Sequence, residues 1–280
     1  KTPAGLDIDQ LFVNGERQHM ARYPNYDPNV FPLNGFAADA FSKERAAGWK
    51  DPAGGYIHAM HSKHWGGYHY RITGKGPDGS ITYEGGWQNN RQMGMHEEHR
   101  FVENIFEELN APGEWFHNQQ TQTLYFYPPE NIDVATSCFE IAQLKHLVKF
   151  NGSPENPVRH IHMQGITFRH AARTIMEPYE QLLRSDWSIY RGGAVLFTGA
   201  EDCGLSDCEF DQVGGNAVFV SGYNRRITVS GTHIHGAGGS GVCFVGSPDC
   251  VRSPLFERNE HQSYRDIDKT SGPGTENYPA

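Results

Sequence analysis

Between residues 203 and 250 short apolar strands alternate with glycine-rich turns, and the pattern occurs twice. Leu205, Phe210 and Val218–Val220 recur as Val229, Ile234 and Val242–Phe244, and Gly214-Gly215 recurs as Gly238-Gly239, all at one offset of 24 residues. A period of this size, made of short strands and glycine turns, predicts a parallel β-solenoid. A third copy lies upstream, where residues 161–171 (IHMQGITFRHA) match residues 227–237 (ITVSGTHIHGA). Its continuation at 192–199 matches 214–222, but residues 172–191 intervene as an expelled loop. Residues 251–280 read as a second such excursion, and insertions of this kind often wall a binding site.

Side-chain alternation over Ser206–Asp211 points Cys208 and Phe210 inward and Asp207, Glu209 and Asp211 outward. Stacking the copies predicts one outward ladder of Arg169, Asp211 and His235 and a second of Thr167, Glu209 and His233. Two readings stay open. In one the ladders are ion pairs on a solvated sheet face. In the other they form a carbohydrate site in which Asp211, Glu209 and His235 are catalytic. Arg169 and His233 then hold substrate, together with Trp187, Tyr190 and Arg191 of the expelled loop. Glycoside cleavage needs two carboxyl groups flanking the bond. Two residues along a strand separate them by about 6.5–7 Å.

The first half has a different character. Asn14-Gly15 within residues 6–23 predicts a two-residue hairpin turn. Residues 68–86 and 113–129 read as further hairpins, and 100–110 as a short helix with Phe101, Ile105 and Leu109 on one face. The resulting organisation is a β-helix start with a hairpin over 1–40, an inserted β-rich domain over 41–130, and solenoid coils over 131–280 with insertions at 172–191 and 251–280. Residues 139–152 are read as one early coil.

Composition narrows the partners. The 280 residues carry a formal charge of −9 and lack a Lys/Arg-rich block, which argues against nucleic acid and anionic membrane surfaces. No apolar run is long enough to span a bilayer. Aromatic residues make up 12% of the chain, beside 15 His, and such rings stack on sugars while offering a polar edge. Cys138, Cys203, Cys208, Cys243 and Cys250 contain no C-x-x-C pair, so neither a zinc site nor a disulfide framework follows. His58-x-x-His61-x-x-His64 falls in a glycine-rich stretch and reads as surface histidines. No metal or cofactor is expected. The opening KTPAGLDIDQLF and the closing TSGPGTENYPA read as the interior of a longer protein.

LFVNGERQHMARYPN, FEELNAPGEWFHNQQTQTLYFYPP and the coils SDCEFDQVGGNAVFV and HIHGAGGSGVCFVG together resemble the right-handed parallel β-helix proteins of carbohydrate-active systems, glycoside hydrolase family 141 above all. Members of that family include an α-L-fucosidase and a xylanase acting on plant cell-wall polysaccharide. The resemblance implies a right-handed β-helix interrupted by a β-domain, an extracytoplasmic location, a polysaccharide or oligosaccharide substrate, and catalytic carboxylates on later coils. Glycoside hydrolysis is therefore the leading expectation. A polysaccharide lyase on the same scaffold would draw on Arg169, His235 or Lys269 as its basic group. A non-catalytic glycan-binding solenoid is the third reading.

Overall fold

Alternating apolar and polar segments favour strands over helices, and the computed structural model is nearly all β. It describes residues 1–89, 93–181 and 188–247. The chain divides into two compact units, Lys1–Ala142 and Gln143–Ala280. Among the described residues no helix is long and apolar enough to cross a membrane.

In the second unit three parallel sheets are built from the repeat. The first sheet runs Val148–Asn151, Val195–Glu201, Val218–Arg225 and Val242–Val245 in spatial order, with Val158–Arg159 also pairing on Val195–Glu201. The second stacks His162–Gln164, Gly204–Ser206 and Thr228–Ser230, and the third stacks Thr167–Arg169, Glu209–Asp211 and His233–His235. The chain visits the sheets in the same order on each pass. The register is the one the repeat predicts: Leu205 opposes Val229, Phe210 opposes Ile234, and Val218 opposes Val242.

One core takes side chains from all three sheets, including Phe150, Phe197, Leu205, Cys208, Phe210 and Val218. Equal levels stack on one another, as in the Phe168–Phe210 ring pair at 4.9 Å. The paired glycines have a steric cause. A Cβ on Gly238 would sit 2.2 Å from the Gly214 carbonyl oxygen one pass earlier, so the backbones approach too closely for any side chain.

The expected single strand Ser206–Asp211 is broken. Asp207 has φ 52°, and its equivalents Gly165 and Gly231 have φ 67° and 59°. A left-handed residue at each level turns the chain from the second sheet into the third, which favours Gly and tolerates Asp. Asp207 is therefore a corner residue, whose carboxylate accepts from Gln164 Nε2 at 2.9 Å. Asn224 fills a different irregularity, where the first sheet shifts register between Thr198 and Ala200.

The first unit holds a five-stranded antiparallel sheet in the order Arg22–Tyr23, Met95–Glu103, Tyr56–His61, Gly67–Lys75, Ile81–Gly85. Its core includes Trp49, Ile57, Ile72, Val102 and Ile105. The three hairpin expectations match the pairing: Leu11–Val13 with Glu16–Arg17, Gly67–Lys75 with Ile81–Gly85, and Glu114–Asn118 with Thr123–Phe126. At the first turn Asn14 and Gly15 both have positive φ, 52° and 86°, as that tight turn requires.

Two expectations fail here. Residues 100–110 are not one helix, because the stretch begins in the strand Met95–Glu103 and only Phe106–Glu108 forms a short 3-10 turn. Strand pairing with Tyr56–His61 overrides the helical spacing of Phe101, Ile105 and Leu109. The segment 139–152 is also divided. Phe139–Ile141 pairs antiparallel with Leu11–Val13 in the first unit, while Val148–Asn151 joins the parallel sheet of the second.

Candidate functional site

The third parallel sheet carries the densest set of outward polar residues that the sequence singled out. Each of its strands is three residues long. The middle residue, Phe168, Phe210 or Ile234, faces the core, so both flanking residues face out. Arg169, Asp211 and His235 are in register, as are Thr167, Glu209 and His233.

The His235 ring lies between two carboxylates. Its Nε2 is 3.2 Å from Glu209 Oε1 and its Nδ1 is 3.7 Å from Asp211 Oδ1. A neutral imidazole has one N–H and can donate to only one of them at a time. Thr167 Oγ1 donates to Glu209 Oε2 at 3.1 Å, and Arg169 Nε is 3.9 Å from Asp211 Oδ2. Side-chain exposure is 44% for Glu209, 40% for His235 and 18% for Asp211, so the arrangement is open to solvent. Ion pairs this exposed contribute about 0–1 kcal/mol each. The group can hold, accept and transfer a proton at the edge of a surface-bound ligand.

Tyr190 and Arg191 lie elsewhere, against the first sheet. Arg191 donates through Nε to Glu180 Oε2 at 2.7 Å and through Nη1 to Ser221 Oγ at 2.9 Å and the Val245 carbonyl at 3.0 Å. Its Nη2 reaches Glu180 Oε1 and, at 3.2 Å, the Gly246 carbonyl. Its guanidinium also lies over the Phe219 ring at 5.8 Å. Arg191 thus acts as a strut that ties the expelled loop to the sheet. Tyr190 Oη is 3.3 Å from His146 Nε2, and burial followed by the nearby Glu177 raises its phenol above the ordinary tyrosine range. Trp187, Lys269, Cys250 and the excursion 251–280 lie outside the described residues. The structure therefore gathers Arg169, Glu209, Asp211, His233 and His235 on one sheet face and sets Tyr190 and Arg191 against another sheet.

Sequence patterns alone missed several features of the first unit. His58 and His61 are buried at 5% and 0% exposure, not surface residues, because the strand Tyr56–His61 aims them inward on opposite faces. His58 Nε2 lies 3.0 Å from Glu103 Oε1, and its Nδ1 lies 2.6 Å from His69 Nδ1. A cleft of about 330 Å³ is lined by Tyr56, Phe106, Phe116, His117 and Glu107 among others. These residues come from distant stretches of the chain, so no local motif announces them.

Two groups among the described residues bring three metal-ligating side chains within 4.8 Å of one another: His64, His96 and His99, and Glu209, His233 and His235. In the first, His96 Nδ1 accepts from the backbone N–H of Glu98 at 3.1 Å and of His99 at 3.0 Å. A neutral His96 then carries its proton on Nε2, which leaves no lone pair for a metal. The three rings stack instead, at 4.3–4.8 Å between centroids.

No protein-family model matches this chain, and no curated protein matches it. A solved structure described as "Glycoside hydrolase" is similar, with a TM-score of 0.63 and 19% identity over 82% of this chain. The match covers 48% of that structure, so the present chain spans about half its length. At this identity the likeness is one of fold.

Proposed function

We propose that the chain belongs to a glycoside hydrolase resembling family 141, its second unit forming coils of a right-handed parallel β-helix, and that the enzyme cleaves a complex plant or algal cell-wall polysaccharide outside the cytoplasm. The observation that carries this reading is the placement of Glu209 and Asp211 two residues apart on one outward strand face, with His235 between them. Strand rise separates the two backbone positions by about 6.5–7 Å, which permits their carboxyl groups to take up the spacing used by inverting enzymes. One carboxyl group protonates the glycosidic oxygen and the other activates water, while His235 exchanges protons with either. Thr167 and Arg169 hold the pair in place. The three cyclically visited parallel sheets and the likeness to a glycoside hydrolase structure support the scaffold.

Product chemistry tests the reaction. Incubation with a panel of plant and algal polysaccharides is expected to release reducing ends without ultraviolet absorbance. An unsaturated, absorbing product would instead assign a lyase in which His235 abstracts the proton and the Arg169 guanidinium neutralises the adjacent uronate. Measurable binding with no released sugar would assign a non-catalytic solenoid.

A further inference from the structure

Glu209 and His233 are direct partners across adjacent strands, and His235 follows two residues later, so all three side chains project from one face. One ligand atom from each lies within 4.8 Å of the others. Two atoms bound to one tetrahedral Zn²⁺ at about 2.0–2.2 Å lie roughly 3.3 Å apart. Glu209 Oε1 and His235 Nε2 are 3.2 Å apart and already meet that spacing. The exposed His233 ring, stacked on His235 at 4.8 Å between centroids, completes the set by turning about its side-chain torsions.

The surrounding contacts fit the same role. A ligating histidine usually donates its other ring N–H to a carboxylate, which fixes the tautomer and aims the free lone pair at the metal. Asp211 Oδ1 lies 3.7 Å from His235 Nδ1, beyond hydrogen-bond distance, and a small turn of either side chain brings it into that role. Thr167 Oγ1 occupies the second oxygen of Glu209 at 3.1 Å and leaves Oε1 for the ion. In the His64, His96 and His99 group, by contrast, His96 Nδ1 accepts from two backbone N–H groups.

We propose that Glu209, His233 and His235 bind a first-row divalent metal ion, Zn²⁺ foremost, with Asp211 and Thr167 positioning the ligands. Two imidazoles and one carboxylate with open coordination positions suit such an ion. Binding stands on the geometry alone, whereas its consequence rests on the hydrolase reading. A metal held by Glu209 and His235 withdraws both from proton transfer, so zinc inhibits hydrolysis and a chelator restores it.

The test is calorimetric titration of the chain with zinc chloride, paired with the visible spectrum of the Co²⁺-loaded protein. His233→Gln and His235→Gln are each expected to abolish uptake at this site and the tetrahedral cobalt bands. Asp211→Asn is expected to weaken binding about 10–100-fold, and His99→Gln to leave it unchanged. Thermal unfolding establishes that each variant is folded. Lack of uptake by the unaltered chain at millimolar zinc overturns the proposal, as does unchanged uptake by folded His233→Gln. Zinc uptake without hydrolysis of any polysaccharide retains the metal site and removes the hydrolase reading, and hydrolysis without zinc uptake does the reverse.

Discussion

Replacing Asn224 with alanine removes the side chain that seals the register shift of the first parallel sheet. Asn224 is 0% exposed, and its amide is used at both ends. Oδ1 accepts from Ala200 N at 3.0 Å, while Nδ2 donates to the Ser221 carbonyl at 2.9 Å and the Phe197 carbonyl at 3.4 Å. Alanine leaves two well-formed backbone partners without their hydrogen bonds at a fully buried position. Each such loss costs about 1–3 kcal/mol. Adding the void left by the amide, we expect a total loss of about 3–5 kcal/mol. A domain of this size loses a few degrees per kcal/mol, so the expected fall in Tm is roughly 10–15 °C. Asn151→Ala is the control, an exposed residue two strands away in the same sheet, with an expected effect within about 0.5 kcal/mol. Thermal unfolding followed by circular dichroism reads both variants. An Asn224→Ala midpoint within about 2 °C of the unaltered chain would refute the reasoning that this amide closes the stack.

Two further perturbations probe the packing and the electrostatics. Gly238→Ala is expected to destabilise far more than Gly165→Ala in denaturant titrations, because its Cβ meets the Gly214 carbonyl oxygen at 2.2 Å whereas a Cβ at Gly165 has nothing within 4 Å. The Gly165 change carries only the left-handed backbone cost of about 1–2 kcal/mol. His19 has its pKa lowered to about 4, first by burial and then by Arg22 and Arg17, with Glu103 opposing them. The unfolded chain therefore binds a proton near pH 6.5 that the folded chain refuses. Stability is complete above that pH and falls by roughly 3 kcal/mol as the pH drops to about 4. His19→Gln is expected to flatten the unfolding free energy across this window, and an unchanged slope would remove His19 from the account.

The repeat was legible in sequence because stacking imposes the same requirement at each level. Leu205, Phe210 and Val218 need apolar partners one pass later, and Gly214 needs a glycine above it. The two ladders followed directly from that register. The corner at Asp207 was hidden because a left-handed residue need not be glycine, and the alternation of side chains continues across the bend. Buried His58 and His61 were hidden for another reason. The pairing of Tyr56–His61 with Gly67–Lys75 and Met95–Glu103 decides which rings turn inward, and histidine carries no burial signal of its own. Arg191, expected at the site, shows the same limit. A guanidinium beside aromatic loop residues suggests a sugar contact, but its donors are taken by Glu180, Ser221 and two carbonyls that lie far along the chain.

The proposed hydrolysis requires Glu209 and Asp211 to perform chemistry and not merely to decorate a sheet. Their exposure, 44% and 18%, limits what their ion pairs contribute to stability to about 0–1 kcal/mol each. The decisive measurement is kcat/KM for reducing-end release by Glu209→Gln and Asp211→Asn, taken with Tm on the same preparations. Losses of about 10²–10⁴-fold are expected, with Tm within about 4 °C of the parent. Full activity in both variants, or a collapse in Tm that accounts for the lost activity, would contradict that requirement.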